Sequence, residues 1–419
     1  MKSFNTYKTV GEYKFFDSCR FCGSLNIKIV VDLGLLPLAG GFIKPKENKR
    51  VTEKFYPLKL VFCEDCFLLQ VNSSISPDTL FKNYFYFSSS MKTLVQHFEN
   101  IASDLPKILP NPNDKFVVEI GANDGAFIKA LQKIGYKALG IDPAANVVKS
   151  AIKNGIPILN DYFTQKLAGK IVKKYGRADS IYSFHSMAHI ENMHDVIHGI
   201  KTLLKKDGFL AIEVHYLGDL IREIQYDMIY HEHQFYYSLL SLKNFFQQYE
   251  MEIFDVKHFN VRGGSIMYFV QNKGGGKRVT KSVKDLLKQE KMRKLDKADS
   301  YIRFSKKISL RKKQLILLLN KLKKDNKKVV GYGASGRGTI IANYSDLTNY
   351  LDYIVDDAKA KQGSLLPGTH HEIFPSNKMI QDNVDFAVLF AWPFLKEVKA
   401  RNKNFRGKFI IPLPNVKIV

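Results

Sequence analysis

The stretch Val117-Val-Glu119-Ile-Gly121-Ala-Asn123-Asp124-Gly125-Ala-Phe127-Ile-Lys-Ala-Leu131-Gln-Lys-Ile134-Gly-Tyr-Lys-Ala-Leu-Gly-Ile-Asp142 decides the fold. β-Branched and apolar residues from Phe116 to Ile120 run into a turn that holds Gly121 and Gly125. Phe127, Leu131 and Ile134 then recur at helical spacing, and a second apolar run ends in an acid. The order is strand, loop, helix, strand. Glycine at 121 and 125 would let backbone approach a ligand where a Cβ would collide. Asp142 lies roughly 20 residues beyond the turn, the offset at which an acid at a second strand's carboxyl end meets ribose hydroxyls. The loop therefore suits a nucleoside-containing ligand; the competing reading is a βαβ unit that merely carries glycine in its turn.

A dinucleotide fingerprint wants G-x-G-x-x-G, whereas here Glu119 closes the strand and the polar Asn123 and Asp124 fill the turn. This looks like the first motif of class I S-adenosylmethionine-dependent methyltransferases. The resemblance implies that the turn lies under the amino-acid end of S-adenosylmethionine (SAM), whose ammonium tolerates carboxylate and amide neighbours. Asp142 and Pro143 would follow on the ribose side. Asp161 and Phe163, beyond a helix and strand read over residues 151–158, would flank the adenine.

With 419 residues the chain is long enough for about two to four domains. It has no 18-residue apolar run, so no membrane span is expected. The N-terminus lacks the apolar core of a signal peptide, and a cytoplasmic protein is expected. The formal charge of +24 favours anionic partners. Much of it lies in runs such as Lys205-Lys206, Arg311 to Lys313 and Lys321 to Lys328, read as solvated helical faces. With no stripe of aromatic residues and arginine beside that charge, nucleic acid is not the expected partner.

In chain order, Cys19-Arg-Phe-Cys22-Gly23 and Cys63-Glu-Asp-Cys66 hold all four cysteines as two C-x-x-C knuckles. Four thiolates from two tight turns suit one structural zinc ion, with no open coordination position for chemistry. A redox pair or a nucleic-acid-reading ribbon is the alternative. The aromatic run Tyr84-Phe-Tyr86-Phe-Ser88-Ser-Ser90 leads towards a helix, with one serine expected as its N-cap. It reads either as a packing cluster or as a source of hydroxyls facing the ligand. The strand 179–184 ends in His185-Ser-Met-Ala-His189-Ile-Glu191, which puts two histidines at the ligand-facing edge.

A further strand over residues 208–214 leads to Tyr226-Asp227-Met-Ile-Tyr230-His231-Glu232-His233-Gln234-Phe-Tyr236-Tyr237-Ser238, the densest polar cluster of the chain. The spacing is not H-E-x-x-H, so a zincin reading fails. A histidine held by a neighbouring carboxylate suits a general base; a metal pair from His231 and His233 is the weaker alternative. Val261-Arg262-Gly-Gly264-Ser265 interrupts two strand-like runs. Residues 273–326 are Lys-rich with helical periodicity and read as one or two connecting helices. Gly331-Tyr332-Gly333-Ala334-Ser-Gly336-Arg337-Gly338 then opens a last strand-turn-helix unit, where G-x-G-x-x-G allows a second dinucleotide site and Arg337 equally suits a nucleoside diphosphate.

Together these motifs resemble the sugar C-methyltransferases that act on nucleotide-linked 4-keto-deoxysugars in the synthesis of branched and surface-polysaccharide sugars. The resemblance rests on the Cys₄ knuckles, Tyr84 to Ser88, Glu119 to Gly125, Ala188-His189-Ile190, Tyr230 to His233, Gly263 to Ser265, the Gly331 turn, and Val355-Asp356-Asp-Ala-Lys-Ala-Lys361-Gln362-Gly-Ser-Leu-Leu-Pro367. It implies a zinc-binding domain over 1–80, a class I methyltransferase Rossmann-like domain over 81–272, a helical connection over 273–326, and a Rossmann-like α/β domain over 327–419 that binds the nucleotide sugar.

The resemblance further implies that His233, oriented by Glu232, removes a proton from C3 beside the keto group while Tyr230, His189 and His185 hold the enolate. Tyr84, Tyr86, Ser88 and His185 would join the cofactor site. Arg262, Gly264, Ser265, Tyr332, Ala334, Arg337, Asp356, Lys361, Gln362 and Pro367 would line the site for a dTDP-, GDP-, CDP- or UDP-linked sugar. His185 stands where the family suggests Asn, and Arg262 where His is common, which points to an unusual sugar. A monomer is expected. An O-methyltransferase on the same scaffold and a zinc-containing nucleic-acid-binding protein are the alternatives.

Overall fold

The computed structural model describes residues 7–44, 53–81, 87–261 and 263–419. At its centre is a seven-stranded sheet, in the order Met251–Phe259, Ser265–Asn272, Leu204–His215, Ala178–Phe184, Phe116–Ile120, Lys137–Asp142, Ile158–Asn160. Five strands run parallel, and the hairpin of the first two is antiparallel to its neighbour. The opening stretch reads as a continuous apolar run because helices cover both faces of the sheet. Val117, Tyr182 and Ala211 point into one core with Phe127 and Leu131. Val118, Ile181 and Leu210 point into the other, with Val196 and Ile200. The strand order reverses beside Phe116–Ile120, so the crevice at its carboxyl end is where this architecture binds ligands.

The N-terminal part forms a three-stranded sheet (Tyr7–Val10, Tyr13–Phe16, Ser73–Ile75) and a four-stranded one. The second contains Ile27–Pro37, Phe55–Cys63 and Leu69–Val71, and is completed by Phe235–Tyr236, which pairs antiparallel with Leu69–Val71. The segment carrying Tyr230 to His233 is therefore stitched into the cysteine-bearing domain. The C-terminal part is a six-stranded sheet, parallel except at its last strand.

The 27-residue helix Ala298–Lys324, about 40 Å long at 1.5 Å per residue, is more than a linker. Its Tyr301, Phe304, Ile308, Leu315 and Leu319 share one core with Val31, Leu60 and Phe62 of the N-terminal sheet and Ile340 and Ile354 of the C-terminal unit. Two local expectations change. Lys205 and Lys206 lie in the strand Leu204–His215, not on a helix. The serines 88–90 form a 3₁₀ turn, and the N-cap of the following helix Lys92–Asp104 is Met91, with no side-chain cap.

Candidate active site

The two knuckles bring four sulfurs together, all within 4.8 Å of one another. Cys19 Sγ lies 3.4 Å from Cys66 Sγ, and Cys22 Sγ 3.6 Å from Cys63 Sγ. A tetrahedral ZnS₄ site with 2.3 Å bonds has edges of about 3.8 Å, so the four thiolates fit one zinc ion with no open position. Each knuckle closes through a backbone bond, Gly23 N–H to Cys19 O and Phe67 N–H to Cys63 O. Between Cys19 and Cys22, the buried Arg20 donates to Gln70, Val71 O, Gln234 O and Gln234 Oε1.

At the carboxyl end of Phe116–Ile120 lies a cavity of about 420 Å³, within the size range of small-molecule sites. Ser88, Glu119, Gly121, Asn123, Asp142, Pro143, Asp161, Phe163 and His185 all line it. Glu119 is buried, and among the described residues its Oε2 has no partner. Burial first, then Asp142 and Asp124, push its carboxyl well above the usual carboxylate range. A buried acceptor left open at the cavity wall suits a ligand bearing donors. Asp142 accepts from Asn123 N–H at 2.8 Å and Ala144 N–H at 2.9 Å, which stations its carboxylate at the rim. Its remaining lone pairs can meet ribose hydroxyls. This donor set fits SAM.

The glycines act differently from expectation. A Cβ on Gly121 would fall 1.9 Å from Ser186 Oγ, and one on Gly125 would fall 2.5 Å from Ile156. Both positions are glycine because protein atoms stand where a Cβ would be, and Gly121 also lines the cavity. Asp124 and Gly125 do not line the cavity. The Asp124 carboxylate binds Ser89 through its N–H and its hydroxyl, and Asn123 Oδ1 accepts from Ser88 N–H at 2.9 Å. The polar turn thus pins the 88–90 segment over the cavity.

A second cavity, of about 510 Å³, lies against the first, and His185 and His189 line both. Its wall carries Tyr230, Glu232 and His233 from the middle unit and Arg337, Asp356 and Lys361 from the C-terminal one. His233 Nδ1 donates to Met228 O at 2.8 Å, leaving the lone pair on Nε2. Burial first, then His189, hold this imidazole well below its ordinary pKa, so it is neutral at pH 7. Its ring lies 3.9 Å from that of Tyr230 and 4.9 Å from that of His189.

The orienting group for His233 is therefore the Met228 carbonyl rather than Glu232. Glu232 lines the cavity itself, with its Oε1 3.3 Å from where a Cβ on Gly40 would sit. Burial pushes its carboxyl up to about 7. His185 adopts a left-handed backbone (φ 56°), and its Nε2 lies 3.6 Å from the buried Glu213. Glu213 also bonds His97 Nε2 at 2.7 Å and Ser265 Oγ at 2.6 Å. Burial alone would raise the Glu213 carboxyl, but its bonds to His185 and His97 outweigh that and hold it low.

Ser265 does not line either cavity and, among the described residues, reaches the site through Glu213. Gly264 packs on Asp219, where a Cβ would lie 2.4 Å from Oδ2. In the C-terminal unit Lys361 Nζ bonds Ala334 O and Asp356, beside the Ser335-capped helix Gly336–Tyr344. Tyr332 bonds Asp357 and Asn402, Gln362 bonds Asp356 O, and Pro367 O accepts from Asn343. Tyr332, Ala334, Gln362 and Pro367 shape the wall from behind and do not line it. Tyr84, Tyr86 and Arg262 lie outside the described residues. Sequence patterns assign no site role to Arg20, His97, Glu213 or His215, and they place Asp227 and Met228 in the polar cluster of residues 226–238 with no role of their own. The only signal for Glu213 was an acid inside an otherwise apolar strand.

Three family models tile the chain: a zinc binding domain over residues 19–81, a methyltransferase domain over 94–256, and a C-methyltransferase C-terminal domain over 260–414. C-methyltransferase NovU of Streptomyces niveus is 30% identical over 407 residues, spanning 96% of this chain and 97% of that protein. An uncharacterized methyltransferase of Alkaliphilus oremlandii (strain OhILAs) is 24% identical over 170 residues, spanning 38% of this chain and 75% of its own. Among solved structures, magnesium protoporphyrin IX methyltransferase from Synechocystis PCC 6803 with bound SAM is similar at 12% identity and a TM-score of 0.32, over 42% of this chain and 79% of that one. The PH0226 protein from Pyrococcus horikoshii OT3 matches at 11% identity and a TM-score of 0.36, over 45% and 95%. With NovU matching almost from end to end, the chain belongs to the C-methyltransferase family, as a SAM-dependent enzyme that carries a structural zinc site.

Proposed function

We propose that the enzyme transfers a methyl group to the carbon beside the keto group, C3, of a nucleotide-linked 4-keto-deoxysugar. The observation that carries this reading is the pair of cavities meeting at His185 and His189, with a neutral imidazole, His233, on the wall of the second. SAM supplies an electrophilic methyl on a sulfonium when bound in the first cavity. The chain's own residues do the rest. A 4-keto group acidifies the C3 hydrogen, His233 Nε2 takes that proton, and the electron pair moves towards the keto oxygen. Tyr230, His189 and His185 donate to that oxygen, where one fixed donor lowers the barrier by about 3 kcal/mol. With SAM held at Glu119, Asn123 and Asp142, its sulfonium methyl would be the electrophile for C3, the S–CH₃ bond breaking as the C–C bond forms.

Arg337, Lys361 and the N-terminus of the helix Gly336–Tyr344 hold the diphosphate in this reading, since two cations and open N–H groups suit that charge. The low basicity of a buried imidazole is compatible with the task, because the base has only to match an acid activated by its own donors.

The test is proton exchange. In D₂O without SAM, the wild-type enzyme exchanges the C3 hydrogen of a 4-keto sugar drawn from a panel of dTDP-, GDP-, CDP- and UDP-linked compounds. His233→Ala loses both exchange and methyl transfer while keeping near-normal SAM affinity. Full activity in that variant removes the base, and methylation of the reduced alcohol instead of the ketone converts the reading to O-methylation.

A further inference from the structure

The 3₁₀ turn Tyr226–Met228 precedes the Tyr230 to His233 segment and carries a carboxylate with no exposure to solvent, Asp227. Asp227 does not line the second, acceptor cavity, yet among the described residues its side-chain partners come from the C-terminal unit. Its Oδ2 accepts from Trp392 Nε1 at 2.9 Å and from Arg337 Nη1 at 3.3 Å. Arg337 Nη2 also reaches Gln225 Oε1 at 3.3 Å, and Gln225 Nε2 donates to Gly263 O at 2.8 Å. One residue further on, the Met228 carbonyl accepts from His233 Nδ1 at 2.8 Å and from Tyr236 O–H at 3.3 Å. A single short turn therefore holds a cation of the acceptor cavity at one residue and the imidazole of the same cavity at the next. The turn is tightly packed: Tyr226 and Ile229 are almost wholly buried. A shift at Asp227 is transmitted to the Met228 carbonyl because close-packed interiors do not absorb it.

We infer that Asp227 is a positioning residue that links the seating of Arg337 to the placement of the Met228 carbonyl, and so makes His233 competent only when the C-terminal cation site is in register. The inference rests on the reading of His233 as base and of Arg337 as an anion-binding group. Burying a carboxylate is costly unless it is paired, and here the pairing partners are the residues whose position it reports. An Arg–carboxylate bond that served only to brace two domains would not need to be adjacent in sequence to the carbonyl that fixes the imidazole tautomer.

The experiment is a double-mutant cycle on kcat with the full-length zinc-loaded enzyme, using Asp227→Asn and Arg337→Met. Asp227→Asn keeps shape and an acceptor for Trp392 but drops the charge facing Arg337. The expected result is a kcat lowered at least tenfold in each single variant, with SAM affinity within twofold of wild type. The double variant should be no slower than the worse single. Independent roles, with effects that multiply, overturn the inference, as does an Arg337→Met that changes KM alone.

A second readout is the pH profile. Burial first, then His189, His215 and His185, oppose protonation of His233, and the bond from Nδ1 to Met228 O supports it; Tyr230, Glu232, Asp356, Arg337 and Lys361 face the same cavity. Loss of that bond moves the acid limb of kcat/KM to lower pH in Asp227→Asn, and an unmoved limb overturns the inference. If Asp227→Asn does not fold, Trp392→Phe removes one bond to the same oxygen. It should lower kcat severalfold at unchanged SAM affinity, and an unchanged kcat overturns the inference. The underlying reading fails separately, by full activity in His233→Ala or absence of C3 exchange in wild type.

Discussion

Arg20→Met should damage both stability and turnover, although Arg20 touches neither cavity. The guanidinium is 1% exposed and makes four side-chain bonds, to Gln70 Oε1, Gln234 Oε1, Val71 O and Gln234 O. It is also sandwiched between Phe16 and Phe235, with ring centroids 4.7 and 4.3 Å from its carbon. A bond from a charged donor contributes about 1.5 to 3 kcal/mol, so the four give roughly 6 to 12 kcal/mol. Against this stands a desolvation cost of several kcal/mol for the buried cation. Methionine recovers the desolvation and part of the stacking but leaves Gln234 Oε1 without that donor, for a net loss of about 3 kcal/mol.

Gln234 follows His233, and its N–H is held by Ala188 O, next to His189. Loosening it should displace the imidazole, and kcat should fall on the order of tenfold or more. Equilibrium urea unfolding at saturating zinc measures the first effect, and steady-state methyl transfer the second. Arg20→Lys should recover less than half of either, since a single ammonium cannot span the four acceptors. An Arg20→Met enzyme with an unchanged midpoint and unchanged kcat would refute the argument that the knuckle braces the base-bearing segment.

Three other outcomes follow from the same geometry. Glu290 is buried, accepts from Leu239 N–H, Leu240 N–H and Tyr216 O–H, and is pushed up by burial from 4.5 to about 7. The folded state therefore binds more protons than the unfolded state between pH 4.5 and 7. Its contribution is fully present below pH 4.5 and is lost as pH rises through 7, by roughly 3 kcal/mol. Glu290→Gln should remove about one proton from the pH slope of stability in that window while costing about 1 to 3 kcal/mol at the helix N-terminus it caps, both read by denaturation at several pH values. Zinc chelation should unfold the N-terminal sheets and, through the pairing of Phe235–Tyr236 with Leu69–Val71, stop methyl transfer; activity that survives verified metal loss would contradict that route. Gly121→Ala must move Ser186 and hold a left-handed backbone at φ 76°, so calorimetry should show SAM affinity down more than tenfold.

The donor half of the site was legible because its signals are local. A strand, a polar glycine turn and an acid roughly 20 residues on stand in one βαβ unit, and the C-x-x-C pairs announce their metal by spacing alone. The acceptor half draws on residues more than a hundred positions apart, from Tyr230 to Lys361, and no periodicity announces that they converge. The sequence points to Glu232 as the group orienting His233 because adjacency is the only proximity a sequence displays. In the fold, the backbone turns between them so that the Met228 carbonyl accepts a hydrogen bond from the imidazole Nδ1–H and the Glu232 carboxyl faces the cavity. The glycines at 121 and 125 were placed correctly in the turn, but the atoms they clear belong to Ser186 and Ile156, which arrive from later strands and loops.

By itself, then, the sequence determined the α/β class, the SAM turn and the thiolate set, since each depends on hydrogen bonds and side-chain spacing within a few dozen residues. Tertiary structure alone decided which histidine nitrogen keeps its lone pair, that Glu213 and Asp227 support the site from behind, and that two cavities share His185 and His189. Burial and long-range pairing set protonation and orientation, and both depend on which distant segments close over a residue, a quantity no local pattern contains.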